Sequence, residues 1–520
     1  MAEMTAQKRY DELAIARKPF VDRARYCAEE TIPALLPPEG HTATNELPMP
    51  YSGFGAKVVE TLASRLTSTI YPPGGGGFRL TVPPEVLLEA EAEAIPPEME
   101  RMLALLEELI NTEMERAGWR NPTTIGLQHL IVCGNFGEYM RPDGVLKVYR
   151  LDQYVVVRDP MGTLLEALIC EKVSKDNLPE DVRSMEQAVQ AKSDDIPLYT
   201  WIKKIPGKDR YQVHQEVGKG GIIPNTKEEY DFDVLPYHFV RWAAMLGEDY
   251  GRSKVEEHLG DFRAINGLTK SVVDGAAMAS RHVTMVRSNS RNLIKKITDA
   301  DNGDVIAGDP EAVGMLKFEN IPGMQITQAA LEALKMEVGA AFAMQSAVQR
   351  DAERVTAFEI QKLARELEDI LGGVFSQLSN DIQGPRLDVL MYIMNEQGKL
   401  PEDLDKTVEP IIVTGLEALG REQEASRVGM ALQMLQGLPP EVLDYVNWQS
   451  LLTKTFNGLG LPDSVNAEEK VQQIRQQRVA EQIAAQAGGA AGQEAITGAV
   501  QQATQGQQQE APEPGAEVPS

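Results

Sequence analysis

The stretch Ser253–Ala279, SKVEEHLGDFRAINGLTKSVVDGAAMA, decides the fold class. Ser253 followed three residues later by Glu256 is a capping box, in which the hydroxyl accepts from a first-turn backbone N–H and the carboxylate reaches back to the cap. Behind it Val255, Leu259, Phe262, Ile265, Leu268, Val272, Val273 and Ala276 recur at helical spacing, which predicts one long amphipathic helix. Residues 281–296, RHVTMVRSNSRNLIKK, come next, with five Lys/Arg and no acid. An acidic, turn-rich run (DADNGDVIAGDPE) leads into another helix ending near Val348. Two long helices thus flank a small insertion.

Outward from this pair the chain stays largely helical. Gln7–Glu30 reads as a helix that stops before Pro33, and a second begins after Gly55, with Val58, Val59, Leu62, Leu66 and Ile70 on one face. Pro97 opens a third and Asn121-Pro122 a fourth. From Leu146 the texture turns to strand: KVYRLDQYVVVRD, a turn at Asp159–Gly162 and LLEALICEKVS predict a hairpin, with further strands at Leu198–Ile205 and Tyr211–Val217. A second capping box, Thr356 with Glu359, starts a stripe of Leu363, Leu367, Ile370, Leu371, Val374 and Leu378 that is expected to break at Gly384-Pro385. A shorter helix to Gly398 and a helical block at about 421–479 follow. Beyond Arg478 there is no Lys, Arg or aromatic residue, and that Gln/Ala/Gly/Pro-rich tail is predicted to be disordered. The fold class is α+β and mostly α-helical.

Composition narrows the function. Of 520 residues, 51 are Lys or Arg and 77 Asp or Glu, a net charge of −26. That balance disfavours coating nucleic acid by phosphate neutralisation; it suits a wall past which DNA slides, and equally the ordinary acidity that keeps a protein soluble. Three cysteines, Cys27, Cys133 and Cys170, are too few and too far apart for a disulfide framework or a CxxC clip, which fits a reducing compartment. No secretion signal is visible at the N-terminus, and no run of eighteen apolar residues suggests a membrane helix.

Motifs for chemistry are missing. Gly74–Gly77 is followed by Phe78-Arg79-Leu80, whereas a phosphate-cradling P-loop needs Gly-Lys-Ser/Thr. Asp299, Asp301 and Asp304 resemble a calcium loop, but glycine falls fifth rather than sixth and Pro310 stands where the bidentate glutamate belongs. Six scattered histidines lack zinc spacing. No nucleophile elbow occurs. No enzyme activity, metal or cofactor is expected. The basic residues Arg281, Arg287, Arg291, Lys295 and Lys296 are either a contact for an anionic partner or a solvated face paired with the acids that follow.

Several collinear strings resemble the portal, or head-to-tail connector, proteins of short-tailed podoviruses of the autographivirus type: CAEETIPALLP (Cys27–Pro37), YRLDQYVVVRD (Tyr149–Asp159), YGRSKVEEHLGDFRAINGL (Tyr250–Leu268), SAVQRDAERVTAFEI (Ser346–Ile360), ELEDILGGVFSQLS (Glu366–Ser379) and EPIIVTGLEALGR (Glu409–Arg421). The resemblance implies a dodecameric ring at one capsid vertex of the virion, assembled in the host bacterial cytoplasm. It divides the chain into a wing at 1–252, a first stem helix at 253–284, a clip at 285–324, a second stem helix at 325–348, a tunnel loop at 349–356, the long wing helix and its return at 357–421, a crown at 422–480 and a tail at 481–520. It places Arg350 and Arg354 beside the DNA channel, and the basic segment at the stem's lower end and in the clip. The implied partners are further copies of the chain, the major capsid and scaffolding proteins, the terminase packaging motor, the tail adaptor, internal core proteins and double-stranded DNA passing without sequence preference, with no membrane. Rival readings are a packaging ATPase or nuclease, and an internal virion or scaffolding protein that forms no channel.

Overall fold

The computed structural model describes residues 4–42, 44–72, 77–82, 97–178, 180–183, 185, 195–218, 221–280, 283–286, 291–300, 313–316, 321–344, 357–400, 411–414, 471 and 474–479. The chain divides into two units, Met1–Glu422 and Gln423–Ser520. The second is described only at 471 and 474–479, where it is helical; the remainder of the expected helical block and the tail lie outside the described residues.

In chain order the first unit comprises α1 (Ala6–Glu30), α2 (Phe54–Ile70), β1 (Phe78–Thr81), α3 (Pro97–Arg116), α4 (Arg120–Cys133), β2 (Asn135–Met140), β3 (Leu146–Tyr149), β4 (Tyr154–Arg158), β5 (Leu164–Ser174), α5 (Glu180–Arg183), β6 (Asp195–Lys204), β7 (Arg210–Val217), β8 (Gly221–Ile222), β9 (Glu228–Asp231) and β10 (Tyr237–Arg241). Then come α6 (Lys254–Glu257), α7 (Leu259–Ala279), β11 (Val283–Val286), α8 (Arg291–Thr298), β12 (Val313–Leu316), α9 (Ile321–Ala341), α10 (Ala357–Leu371), α11 (Val374–Leu378), α12 (Gly384–Glu396) and β13 (Ile411–Thr414).

The core grows from the apolar stripe of α2. Val58, Val59, Leu62, Ala63 and Leu66 are completely buried and share one hydrophobic cluster with Leu127, Leu130 and Ile131 of α4. Each large aliphatic side chain removed from water there contributes about 1.5–3 kcal/mol. The sheets are antiparallel. β10, β2 and β3 form one, β4 to β8 form another with β9 joined to β7, and the two-stranded pairs β1–β13 and β11–β12 tie together distant parts of the chain. A smaller cluster (Ala6, Tyr10, Val155, Leu168, Tyr199 and Trp201) seats the start of α1 against the larger sheet.

The structure corrects the sequence expectation at four places. The stretch after Leu146 is two strands in two sheets, because a 3-10 turn at Leu151–Gln153 intervenes. Its cause is local: the backbone N–H of Arg150 donates to Gln153 at 2.9 Å, and the Arg150 guanidinium holds Asp152, a side-chain alternative to the strand ladder. Helix 253–279 breaks at His258. Ser253 accepts from the Glu256 N–H at 2.9 Å as expected, but the Glu256 carboxylate turns to Arg252 and Arg23 instead of closing the capping box. The α10 stripe breaks at Gly372 and Gly373, whose φ of 60° and 88° favour glycine, not at Gly384-Pro385. There, after a π-helical turn at Ser379–Gln383, Pro385 sits in the first turn of α12, where its missing N–H costs nothing. The second long helix ends at Ala341, short of Val348. The Thr356 cap lies outside the described residues.

Candidate functional site

Helices α7 and α9 run antiparallel as a strut. At one end Phe342, just beyond α9, meets Phe262 and His258 edge-on, with ring centroids 5.6 Å apart in both cases. Toward the other, Gly275 faces Met324 closely enough that a Cβ would stand 3.3 Å from the sulfur. Beyond the strut β11 and β12 pair antiparallel, Val283 with Leu316 and Val286 with Val313, so the insertion begins and ends at one place. α8 lies inside it.

Among the described residues the strut is rooted at one end. Phe262, Ile265 and Asn266 are buried, whereas most α7 residues from Gly267 onward are exposed or half-exposed. Asn266 makes the root: its carbonyl oxygen accepts from the Ser52 N–H at 3.0 Å, and its amide donates to the Glu30 carboxylate at 2.6 Å and the Glu30 carbonyl at 3.2 Å. Arg263 pairs with Glu30 at 3.6 Å. Cys27 lies beneath Ser253, and burial pushes its thiol up to about 11, leaving it inert at neutral pH. At the root of α9, Arg65 donates to the carbonyl of Ala343, which follows the helix end in the turn at 342–344 with φ of 56°. A cation at a helix C-terminus satisfies an orphan carbonyl and opposes the negative end of the dipole.

Away from the root the strut and insertion leave large apolar side chains in solvent: Val273 is 57% exposed, Met278 62%, Met285 54%, Ile294 47%, Ile326 72% and Met336 59%. A pair of helices that buries one face and shows apolar residues elsewhere has surface for a further partner.

The body behind this strut is locked by buried polar groups. Arg386 on α12 and Glu138 on β2 are both fully buried and form a two-pronged ion pair. Arg386 also donates to Thr123 at 2.7 Å and Tyr71 at 3.3 Å, and His238 adds a 3.3 Å contact to Glu138. Burial alone would push the Glu138 carboxyl up, but the Arg386 charge and the hydrogen bonds from His238 and Arg386 hold it down at about 2. In the π-helical turn, Gln383 donates to the carbonyls of Ile70 and Gly77 at 2.7 and 2.8 Å, holding the end of α2 and the residue before β1 together.

Of the residues named from sequence, Lys295 and Lys296 lie exposed on α8, and Arg291 begins that helix. Arg281, Arg287, Arg350 and Arg354 lie outside the described residues. Asn266, Arg65, Arg386 and Gln383 were not legible: each acts on a partner far away in the chain, and nothing in their neighbours' spacing marks them. No group of three or more His, Cys, Asp or Glu suited to a metal exists among the described residues, and no described helix is long and apolar enough to cross a membrane.

The profile of the bacteriophage head to tail connecting proteins matches residues 3–466. The chain belongs to that family. The connector is 32% identical over 495 residues to the portal protein of Escherichia phage T7, covering 92% of this chain and 91% of the relative. It is 31% identical over 509 residues to the portal protein of Enterobacteria phage T3, with 94% of each covered. It is 26% identical over 480 residues to that of Pseudomonas phage phiKMV, covering 89% and 93%. Among solved structures, a chain from the neck of an empty GTA particle aligns at 14% identity with a TM-score of 0.36, over 75% of this connector and 91% of that chain.

Proposed function

We propose that copies of this connector stand side by side around an axis at one capsid vertex, as a closed ring through which double-stranded DNA enters and leaves. The observation that carries this is the likeness to the T7 portal protein across nine-tenths of both chains. The geometry supports the mechanical part. A strut rooted at one end leaves its remaining surface for a neighbour, and the apolar side chains it exposes provide the area to bury there. In this reading α7 and α9 are the stem, the insertion at 285–324 is the clip, and the loop at 349–356 lines the channel with Arg350 and Arg354. The clip's basic face meets the packaging motor and later the tail adaptor, and the wing meets capsid and scaffolding proteins. The role is mechanical rather than chemical: a net charge of −26 on every copy gives a wall that on balance repels phosphate and does not hold it, while a few arginines at the channel provide brief contacts.

Light scattering and negative-stain microscopy of the purified chain test this. Closed, perforated rings of about twelve subunits are expected, since a heterologous interface that closes forms a ring and one that does not forms an open polymer. Only monomers or open polymers, even when capsid and scaffolding proteins are coexpressed, would overturn the proposal.

A further inference from the structure

The first unit carries a groove of about 460 Å³ bounded by β2, β9 and α12. On α12, Val389, Tyr392, Ile393 and Glu396 are spaced i, i+3, i+4, i+7, and all four line it, so one helix face forms a wall. The opposite side is Tyr139 with Glu228 and Tyr230. The rings of Tyr139 and Tyr237 stack at 4.5 Å and 17° beneath that side, fixing one phenol face in place. Tyr230 donates its hydroxyl to Glu228, and Gln397 closes one end by donating to the Pro142 carbonyl at 2.7 Å. Tyr392 is 41% exposed and Glu396 is exposed, so both are available to an incoming group.

Among the described residues the lining contains three glutamates, Glu228, Glu229 and Glu396, and no lysine, arginine or histidine. Glu229 is approached by Arg210 at 3.5 Å, though that arginine makes its shorter pair, 2.7 Å, with Asp231. Arg141, next after the β2 end, is paired with Asp143 at 2.9 Å. The groove's described lining therefore combines net negative charge with phenol faces and an apolar helix wall. A planar guanidinium matches all three features: it is attracted to an aromatic face, donates in-plane to carboxylates, and rides on an aliphatic stem that packs against Val389 and Ile393. Duplex DNA does not match, because its phosphates meet only like charge here. A second copy of the chain is the competing occupant, and the cross-linking arm of the test below separates the two.

We infer that this groove docks an arginine-bearing segment of a different, basic protein. None of its lining residues belongs to α7, α8 or α9, so ring closure is a separate readout and the two ideas fail independently.

The test uses the full chain and a fluorescein-labelled nonapeptide containing three arginines, followed by anisotropy, with a benzophenone side chain introduced at position 392 for cross-linking. Binding and a cross-link to the peptide are expected. Glu228→Gln combined with Glu396→Gln should weaken binding by about tenfold or more, and Tyr392→Leu by about fivefold. Neutralising two exposed glutamates outside the groove, Glu29→Gln with Glu46→Gln, should change it by less than about twofold. A glutamine-for-arginine peptide should not bind. The inference is overturned if the groove variants weaken binding no more than the control pair, or if the cross-linker captures duplex DNA or another copy of the chain in preference to the peptide.

Discussion

Arg386 and Glu138 sit 248 positions apart in the chain and meet with no exposure to water. Breaking such a pair strands a charge in a low-dielectric interior, which costs about 3–5 kcal/mol. Arg386→Met is therefore expected to lower the unfolding free energy by that amount in chemical denaturation at pH 7, and adding Glu138→Leu should recover part of the loss, because no charge is then left unpaired. The pH dependence has a definite sign. The Glu138 carboxyl is held at about 2 in the folded chain against about 4.3 when unfolded, so its stabilisation is complete above the unfolded value and is lost as pH falls toward 2. The gap between wild type and Arg386→Met should accordingly shrink between about pH 4.3 and 2; a gap that stays constant there would remove Glu138 as its source. Sequence reading had no means to find this pair. An arginine after a proline in a polar-apolar helix looks like surface, and only the tertiary fold brings Glu138, Thr123 and Tyr71 around it.

At the scale of elements, the strut shows both what the sequence pattern reveals and where it stops. The apolar stripe from Val255 to Ala276 correctly predicted helix, as did the stripe of α2, because a period of 3.6 is written locally. The break at His258 and the early end at Gly372-Gly373 were missed because a stripe can continue in register across a short interruption, and glycine adopts positive φ only when the surroundings ask for it. β2 was missed for a related reason. Asn135–Met140 is almost wholly buried, so it lacks the alternation that reveals a half-exposed strand. The root of the strut rests on Asn266, whose side chain joins α7 to Ser52 and to the end of α1. Asn266→Ala leaves the Ser52 N–H without its partner, at a cost of about 1–3 kcal/mol. Hydrogen exchange should report amides around Ser52 and the first turns of α7 opening about 10–100-fold faster, with little change in the larger sheet. Uniform acceleration across the first unit would show instead that Asn266 supports the whole core rather than this joint.

For the whole molecule, the informative contrast is between a chain of net charge −26 and the acid-free segment 281–296, which holds five Lys/Arg. The family likeness was legible because it spreads over many strings along nearly the entire chain, whereas the individual roles of the arginines were not, since a solvated charge and a docking charge look alike in sequence. The structure adds that Lys295 and Lys296 are exposed on α8, inside an insertion whose two ends are tied by β11 and β12. Charges placed there are remote in sequence from the buried contacts that hold the strut, so reversing them changes what the insertion attracts more than how the chain folds. Exposed charges contribute about 0–1 kcal/mol to stability, but a patch of one sign changes encounter rates by factors of about 10–1,000. On the proposed function, Arg291→Glu with Lys295→Glu and Lys296→Glu is therefore expected to leave the proposed ring's mass and thermal stability near wild type while slowing the proposed association with the packaging motor by about tenfold or more at low salt, an effect that fades as salt screens the field. Association measured by surface plasmon resonance at two salt concentrations decides it: unchanged docking at low salt would return these residues to the role of a solvated face, and loss of the ring itself would place α8 in the contact between neighbouring subunits.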